Sequence, residues 1–136
     1  MDYFEVSAHL TVRPGCVEGF KKQAAECIRI TQEKDTGTLR YDWFLSSDGT
    51  ECEVREAYTG PEALIEHNMH ILQARSKLFK DYADNHFMVF YSEPSQSLLD
   101  LLKTHQVGFK WFSFFRGLEA IPSRIPGTDS EAKQAV

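Results

Sequence analysis

Glu56, Tyr58 and His67 bring a carboxylate, a phenol and an imidazole into one short stretch of chain. Glu56 and Tyr58 are two residues apart in a strand-like run, so they share a face. His67 shares a helix face with Leu64, Ile71, Ala74 and Leu78, which succeed one another at three- and four-residue spacings. Where strand meets helix, the three groups could converge. Accepting, donating and sharing protons is what such a set can do. Each also has a plainer reading. A histidine on such a face, taken alone, is more often a hydrogen-bonded core residue than a catalyst. Tyr58 can be a strand aromatic with its hydroxyl at the rim. Glu56 can pair with Arg55, Arg40 or Lys77 on a sheet surface. His67 and His70, at i and i+3, have metal-ligand chemistry, but two ligands do not make a site, so no metal is expected.

The elements that position these residues are legible in order. Residues 3–12 alternate, with Phe4, Val6, Ala8, Leu10 and Val12 on one face, and Pro14-Gly15 ends the strand. Val17, Phe20, Ala24, Cys27, Ile28 and Thr31 mark an amphipathic helix to about Lys34, with Gly37 as its C-terminal stop. Leu39, Tyr41, Trp43 and Leu45 alternate with polar neighbours, Asp48-Gly49 supplies a hairpin turn, and Cys52, Val54, Glu56 and Tyr58 line one face of the returning strand. Gly60-Pro61-Glu62 opens the second helix, which runs to about Tyr82: proline suits its first position and the carboxylate suits the positive end of its dipole. A fourth strand spans His86 to Glu93. It is apolar on both faces and so expected to be covered on both. The order β-α-β-β-α-β is ferredoxin-like, an α+β fold.

The chain continues past that unit. Ser95 can cap a short helix carrying Leu98, Leu99, Leu101 and Leu102. Phe109, Trp111, Phe112, Phe114 and Phe115 then crowd one stretch, too apolar to leave in water, and predict an extra strand or an arm that covers an apolar surface on its own subunit or a partner's. From Pro122 onward, Pro, Gly, Ser and charge recur without periodicity. The domain reading is 1–93 for the ferredoxin-like unit, 94–118 for the helix and aromatic strand or arm, and 119–136 for a disordered tail.

At 136 residues with 42% hydrophobic and 26% charged residues, the chain has globular composition and one domain's length. A net charge of −5 without a basic run argues against nucleic-acid binding. No apolar run is long enough to span a membrane, and the start shows no signal-peptide pattern. Cys16, Cys27 and Cys52 cannot all pair within one chain and show no C-x-x-C spacing, so the expected location is the reducing cytoplasm. A ferredoxin-like sheet carries both helices on one face. The other face, with aromatics and aliphatics expected from the second, third and fourth strands, predicts a two-fold homodimer packed sheet on sheet.

Gly37-x-Leu39-x-Tyr41, the Ser46-x-Asp48-Gly49 turn, Glu56-x-Tyr58 and Glu62-Ala63-x-x-x-His67 form an ordered set that resembles the antibiotic biosynthesis monooxygenase (ABM) superfamily over roughly residues 3–93. The resemblance implies a dimeric α/β barrel, two ferredoxin-like sheets face to face, with a ligand cavity between sheet and helices. It implies a monooxygenase that needs no cofactor and acts on a small aromatic or quinol-like substrate with molecular oxygen. His67 would then be the base or a donor to a substrate oxygen, Tyr58 a hydrogen-bond donor and Glu56 an orienting partner. Tyr41, Trp43, Leu64 and Ile71 would bind the substrate. The haem-degrading branch of the superfamily uses an Asn on the first strand, a Trp ending the third and a His late in the second helix. This chain lacks all three. The alternative from another class is a non-catalytic small-molecule-binding or dimerisation module of the same fold.

Overall fold

A computed structural model describes residues 3–118. Strand β1 (Phe4–Val12) buries every second residue, from Phe4 to Val12, against the helices. It is central. The hairpin strand β3 (Glu51–Tyr58) pairs antiparallel on one side of it and β4 (Ala83–Phe90) on the other. Strand β2 (Thr38–Leu45) lies outside β3, and β5 (Gly108–Trp111) runs parallel to β4, giving the order β2-β3-β1-β4-β5. Helices α1 (Val17–Lys34) and α2 (Pro61–Asp81) pack on one face, and the short α3 (Gln96–Thr104) joins β4 to β5. Gln23 donates to the Ala74 carbonyl at 2.9 Å and ties α1 to α2. The ferredoxin-like α+β order is therefore present, extended by one helix and one parallel strand into a five-stranded mixed sheet that is open, not closed into a barrel, within the chain.

Several local expectations change. Gly37 does not stop α1 through a left-handed backbone; among the described residues only Gly15 and Gly49 are glycines of that kind. The helix ends because Asp35 turns extended, at φ −73° and ψ 142°. Gly37 instead permits close approach: a Cβ there would stand 2.7 Å from the Ala63 Cβ and 2.8 Å from the Thr59 hydroxyl. Strand β4 starts at Ala83, earlier than read. Its first residues, Ala83 and Asp84, pair with Val12 and Thr11, and a bulge at Asn85 and His86, opposite Leu10, separates them from the apolar alternation; Asn85 takes a positive φ of 59° there.

The strand is also covered on one face only. Met88 and Phe90 are buried, whereas Phe87 and Tyr91 remain 38% and 44% exposed. The face away from the helices is more polar than expected. Strand β3 gives it Glu51, Glu53 and Arg55, and His9 lies 2.6 Å from Glu53 and 3.3 Å from Glu51. Its apolar content gathers at Phe44 on one side and at Phe87, Val89, Tyr91 and Phe112 on the other.

The C-terminal segment begins as expected. The Ser95 hydroxyl accepts from the Leu98 amide, Leu98 and Leu102 are buried, and Phe109 packs against the core. Pairing with β4 makes residues 108–111 a strand of their own subunit. The aromatic run is only partly withdrawn from water: Phe112, Phe114 and Phe115 are at least half exposed. The tail expected to be disordered, 119–136, lies outside the described residues.

Candidate active site

Buried polar side chains collect between the sheet and α2. Register explains why. Tyr41 pairs with Glu56 across β2 and β3, and Trp43 with Val54, so all four point toward the helices, joined by Tyr58 two residues on. From the opposite side α2 presents Leu64, His67, Asn68, Ile71, Ala74 and Leu78, all buried. His67 is 2% exposed, Glu56 6% and Tyr58 fully buried.

The Tyr58 hydroxyl donates to Glu56 Oε1 at 2.5 Å. Glu56 is therefore bonded inside the core; it is not paired with Arg55, Arg40 or Lys77 on a sheet surface, because its register places it on the helix-facing side. Burial is the first cause that pushes the Glu56 carboxyl above its usual range, partly offset by the charge of His67 and the bond from Tyr58. Burial, then the nearby Glu56 charge, drives both the Tyr41 and Tyr58 phenols well above theirs, so they remain protonated donors.

A second group, not anticipated from the sequence, adjoins the first. Asp35, at the end of α1, has a side chain only 1% exposed. Its Oδ2 lies 2.6 Å from His67 Nδ1 and accepts from the Thr38 hydroxyl at 2.6 Å, while its Oδ1 lies 2.7 Å from His70 Nδ1. Burial raises the Asp35 carboxyl, but the bonds from His67, Thr38 and His70 outweigh it and bring it down to about 2. An ionised carboxylate at that distance requires the proton on His67 Nδ1. Nε2 is then the nitrogen with a lone pair in the neutral ring, and it has no hydrogen-bond partner among the described residues. The ring is held edge-on to Tyr41, centroids 4.5 Å apart, and lies 5.5 Å from Tyr58.

His67, Glu56, Tyr41, Trp43, Leu64 and Ile71 line an inner cavity of about 30 Å³. Tyr58 does not line it; it acts on the cavity through Glu56. The volume suits ordered water, whereas a cavity that takes a benzene ring is on the order of 150 Å³. The Trp43 indole Nε1 is buried without a partner, a donor available to whatever fills the space. Arg75 and His86 complete the polar lining. Burial, with the charge of Arg75, lowers His86 to about 4, so it is neutral near pH 7. Among the described residues no group of three or more His, Cys, Asp or Glu side chains could hold a metal ion. His67 and His70 turn their Nδ1 atoms to Asp35.

Asp35, Arg75 and His86 escaped the sequence reading. Asp35 sits in what reads as a linker, and only the packing of α1 on α2 carries it to His67. The signal that existed was an unexplained carboxylate just after a helix whose neighbour buries a histidine.

Glu56→Gln should be more stable than the parent at pH 8. Glutamine still accepts from Tyr58 and has no ionised form to bury. A carboxyl raised in the folded state loses stability as pH climbs above its unfolded value near 4.5. The advantage should therefore shrink to nothing below about that pH. Urea midpoints at both pH values check it, and a variant less stable at pH 8 contradicts a Glu56 whose burial penalises its charge.

No protein-family model matches the chain, and no curated protein is significantly similar to it. Solved structures do match. The chain has the ferredoxin-like α+β fold seen in proteins named as antibiotic biosynthesis monooxygenases. One, from Nitrosomonas europaea and named "putative antibiotic biosynthesis monooxygenase", is 21% identical with a TM-score of 0.60, covering 68% of this chain and 90% of that one. MupZ from Pseudomonas fluorescens is similar over more of the chain: 20% identity and a TM-score of 0.71, covering 88% of this chain and 95% of MupZ. Residues 1–93 are about two thirds of the sequence, so the likeness to MupZ extends into the segment beyond them. Rv0793 from Mycobacterium tuberculosis, at 23% identity and a TM-score of 0.59, covers 70% of this chain and 98% of its own.

Proposed function

We propose that the chain is a cofactor-independent monooxygenase for a small aromatic or quinol-like substrate, with His67 as its base. The observation that carries this reading is the buried Asp35–His67 pair at 2.6 Å, which leaves Nε2 on a cavity lined by donors and aromatic walls. Nε2 takes a proton from an activated C–H or O–H of the substrate. The resulting anion is electron-rich enough to give one electron to molecular oxygen. Recombination of the substrate radical with superoxide forms a peroxide, and loss of water leaves the carbonyl, so a CH₂ and O₂ become C=O and H₂O. Electrons come from the substrate and no other reductant is needed. Asp35 fixes the ring and offsets its positive charge, Tyr41 supplies a donor to developing oxygen charge, and the enclosed site keeps water from the intermediate. Substrate reaches the cavity by displacing Arg75 and Phe79, which line both it and a surface cleft of about 430 Å³. Oxygen consumption by the metal-free protein with anthrones, quinols and naphthols tests the reading. Uptake with one of them supports it. No uptake with any moves the reading to a binding module of the same fold.

We infer also that two copies associate through the open sheet face, where Phe87, Val89, Tyr91 and Phe112 stand beside Lys110. A gel-filtration mass of two chains is expected, and a mass of one chain contradicts it. Among the described residues no helix is long and apolar enough to cross a membrane. The free thiols Cys16, Cys27 and Cys52 suit a cytoplasmic chain; burial pushes Cys27 up to about 11 and Cys52 up to about 12, which makes both poor nucleophiles.

A further inference from the structure

Arg75 stands at a junction. A second small cavity, about 20 Å³, lies among α2, α3 and β4. Of all the side chains lining this cavity, the inner cavity and the surface cleft, Arg75 alone lines all three. It makes no hydrogen bond or ion pair among the described residues, unlike Arg13, which bonds Asp84 and two carbonyls, and Arg29, which bonds Glu26 and Glu33. Arg75 is half-buried, and a guanidinium that no protein group engages at the edge of a cavity is free to pair with an incoming anion. The acid nearest to hand in the cavity, Glu56, is already engaged by Tyr58, and its burial opposes ionisation. His86 is the other nitrogen base on that side and is neutral. Arg75 is thus the one arginine or lysine among the described residues lining the inner cavity, and no carboxylate among them pairs with it.

We propose that Arg75 is the binding group for a single negative charge on the ligand, and that the ligand is a flat aromatic acid bound as its anion: an enolate, phenolate or carboxylate. The guanidinium presents a planar fork of donors that suits such an oxygen. The aromatic walls Tyr41 and Trp43, edge to face with centroids 5.6 Å apart, take the flat body once Arg75 and Phe79 move aside and join the inner cavity to the cleft. Displaced by the entering ring, Arg75 closes behind it from the cleft side and pairs with its oxygen. This assignment rests on the inner cavity being the substrate site and not on the oxygen chemistry. In an oxidation, the same contact would hold the charge that appears when His67 removes the proton.

Equilibrium dialysis of the full chain with 2-naphthoate and its uncharged analogue 2-naphthamide tests the assignment without turnover. Wild type should bind the acid at least tenfold more tightly than the amide. Arg75→Gln should lose tenfold or more in affinity for naphthoate and less than threefold for naphthamide, with an unchanged circular dichroism spectrum. Arg75→Lys, which keeps the charge and is the fallback if the glutamine variant fails to fold, should retain part of the preference. Equal binding of acid and amide by wild type, absence of naphthoate binding at millimolar concentration, or equal naphthoate binding by Arg75→Gln each overturn it. Anion binding without oxygen uptake sinks the oxidation alone and leaves Arg75 in its role.

Discussion

His67→Asn lowers substrate-dependent oxygen uptake by about 10²-fold or more, the usual scale for a general base. Asparagine is the discriminating replacement. Its amide nitrogen falls near the position of imidazole Nδ1 and can still donate to Asp35, so the buried carboxylate keeps a partner. What disappears is Nε2, the nitrogen that receives the proton. Alanine removes both and confuses a chemical loss with a packing loss, since the ring also touches Tyr41 and Tyr58. The measurement is initial oxygen consumption with whichever phenol or anthrone the wild type oxidises, beside a thermal melt. A rate within threefold of wild type, with the fold intact, removes His67 from the chemistry and makes it a core histidine.

Asp35→Ala carries the largest expected stability loss, about 3 kcal/mol. The carboxylate accepts from three side chains while almost fully enclosed, and its removal strands donors on His67, His70 and Thr38. A buried donor without a partner costs about 1–3 kcal/mol. His70, with 27% of its side chain exposed, can turn to water, and His67, at 3%, cannot. The pH dependence follows from the depressed carboxyl. Its folded value of about 2 lies below the ordinary 3.8, so its contribution is complete above about pH 4 and disappears as pH falls through about 2. Urea midpoints of wild type and Asp35→Ala should therefore be well separated at pH 7 and converge toward pH 2.5. A constant separation across that range assigns the loss to the volume and neutral hydrogen bonds of the carboxyl group and not to its charge. Asp35 is a positioning residue for His67.

Alternation and punctuation made most of the fold readable. β1 repeats a two-residue pattern without a break, and Gly60-Pro61 marks the start of α2 to the residue. What escaped was decided by distant partners. The start of β4 is cut off from the rest by a bulge, which breaks the two-residue period there. Gly37 looks like a helix stop because glycine commonly is one; its actual constraint is the Ala63 side chain arriving from the next helix. In the candidate site, Glu56, His67, Tyr41, Trp43, Leu64 and Ile71 come together because strand parity and helix spacing are local rules. Asp35 lies outside those rules, and Arg75, though it follows Ile71 at helical spacing, reads as a surface charge. Their importance depends on what the other elements leave uncovered.

The parallel strand β5 has one more consequence. It and α3 are the last described elements to leave the ribosome, and the loop between them supplies His105, Gln106 and Val107 to the surface cleft while neither element nor loop lines the inner cavity. One rim of the vestibule is thus encoded apart from the acid–base centre, while α2 and β4 supply the rest of it. Recombination or drift confined to the terminal coding segment can reshape which molecules are admitted without disturbing Asp35, His67 or Glu56. Selectivity can evolve here by altering one jamb of the doorway while the machinery behind it is inherited intact.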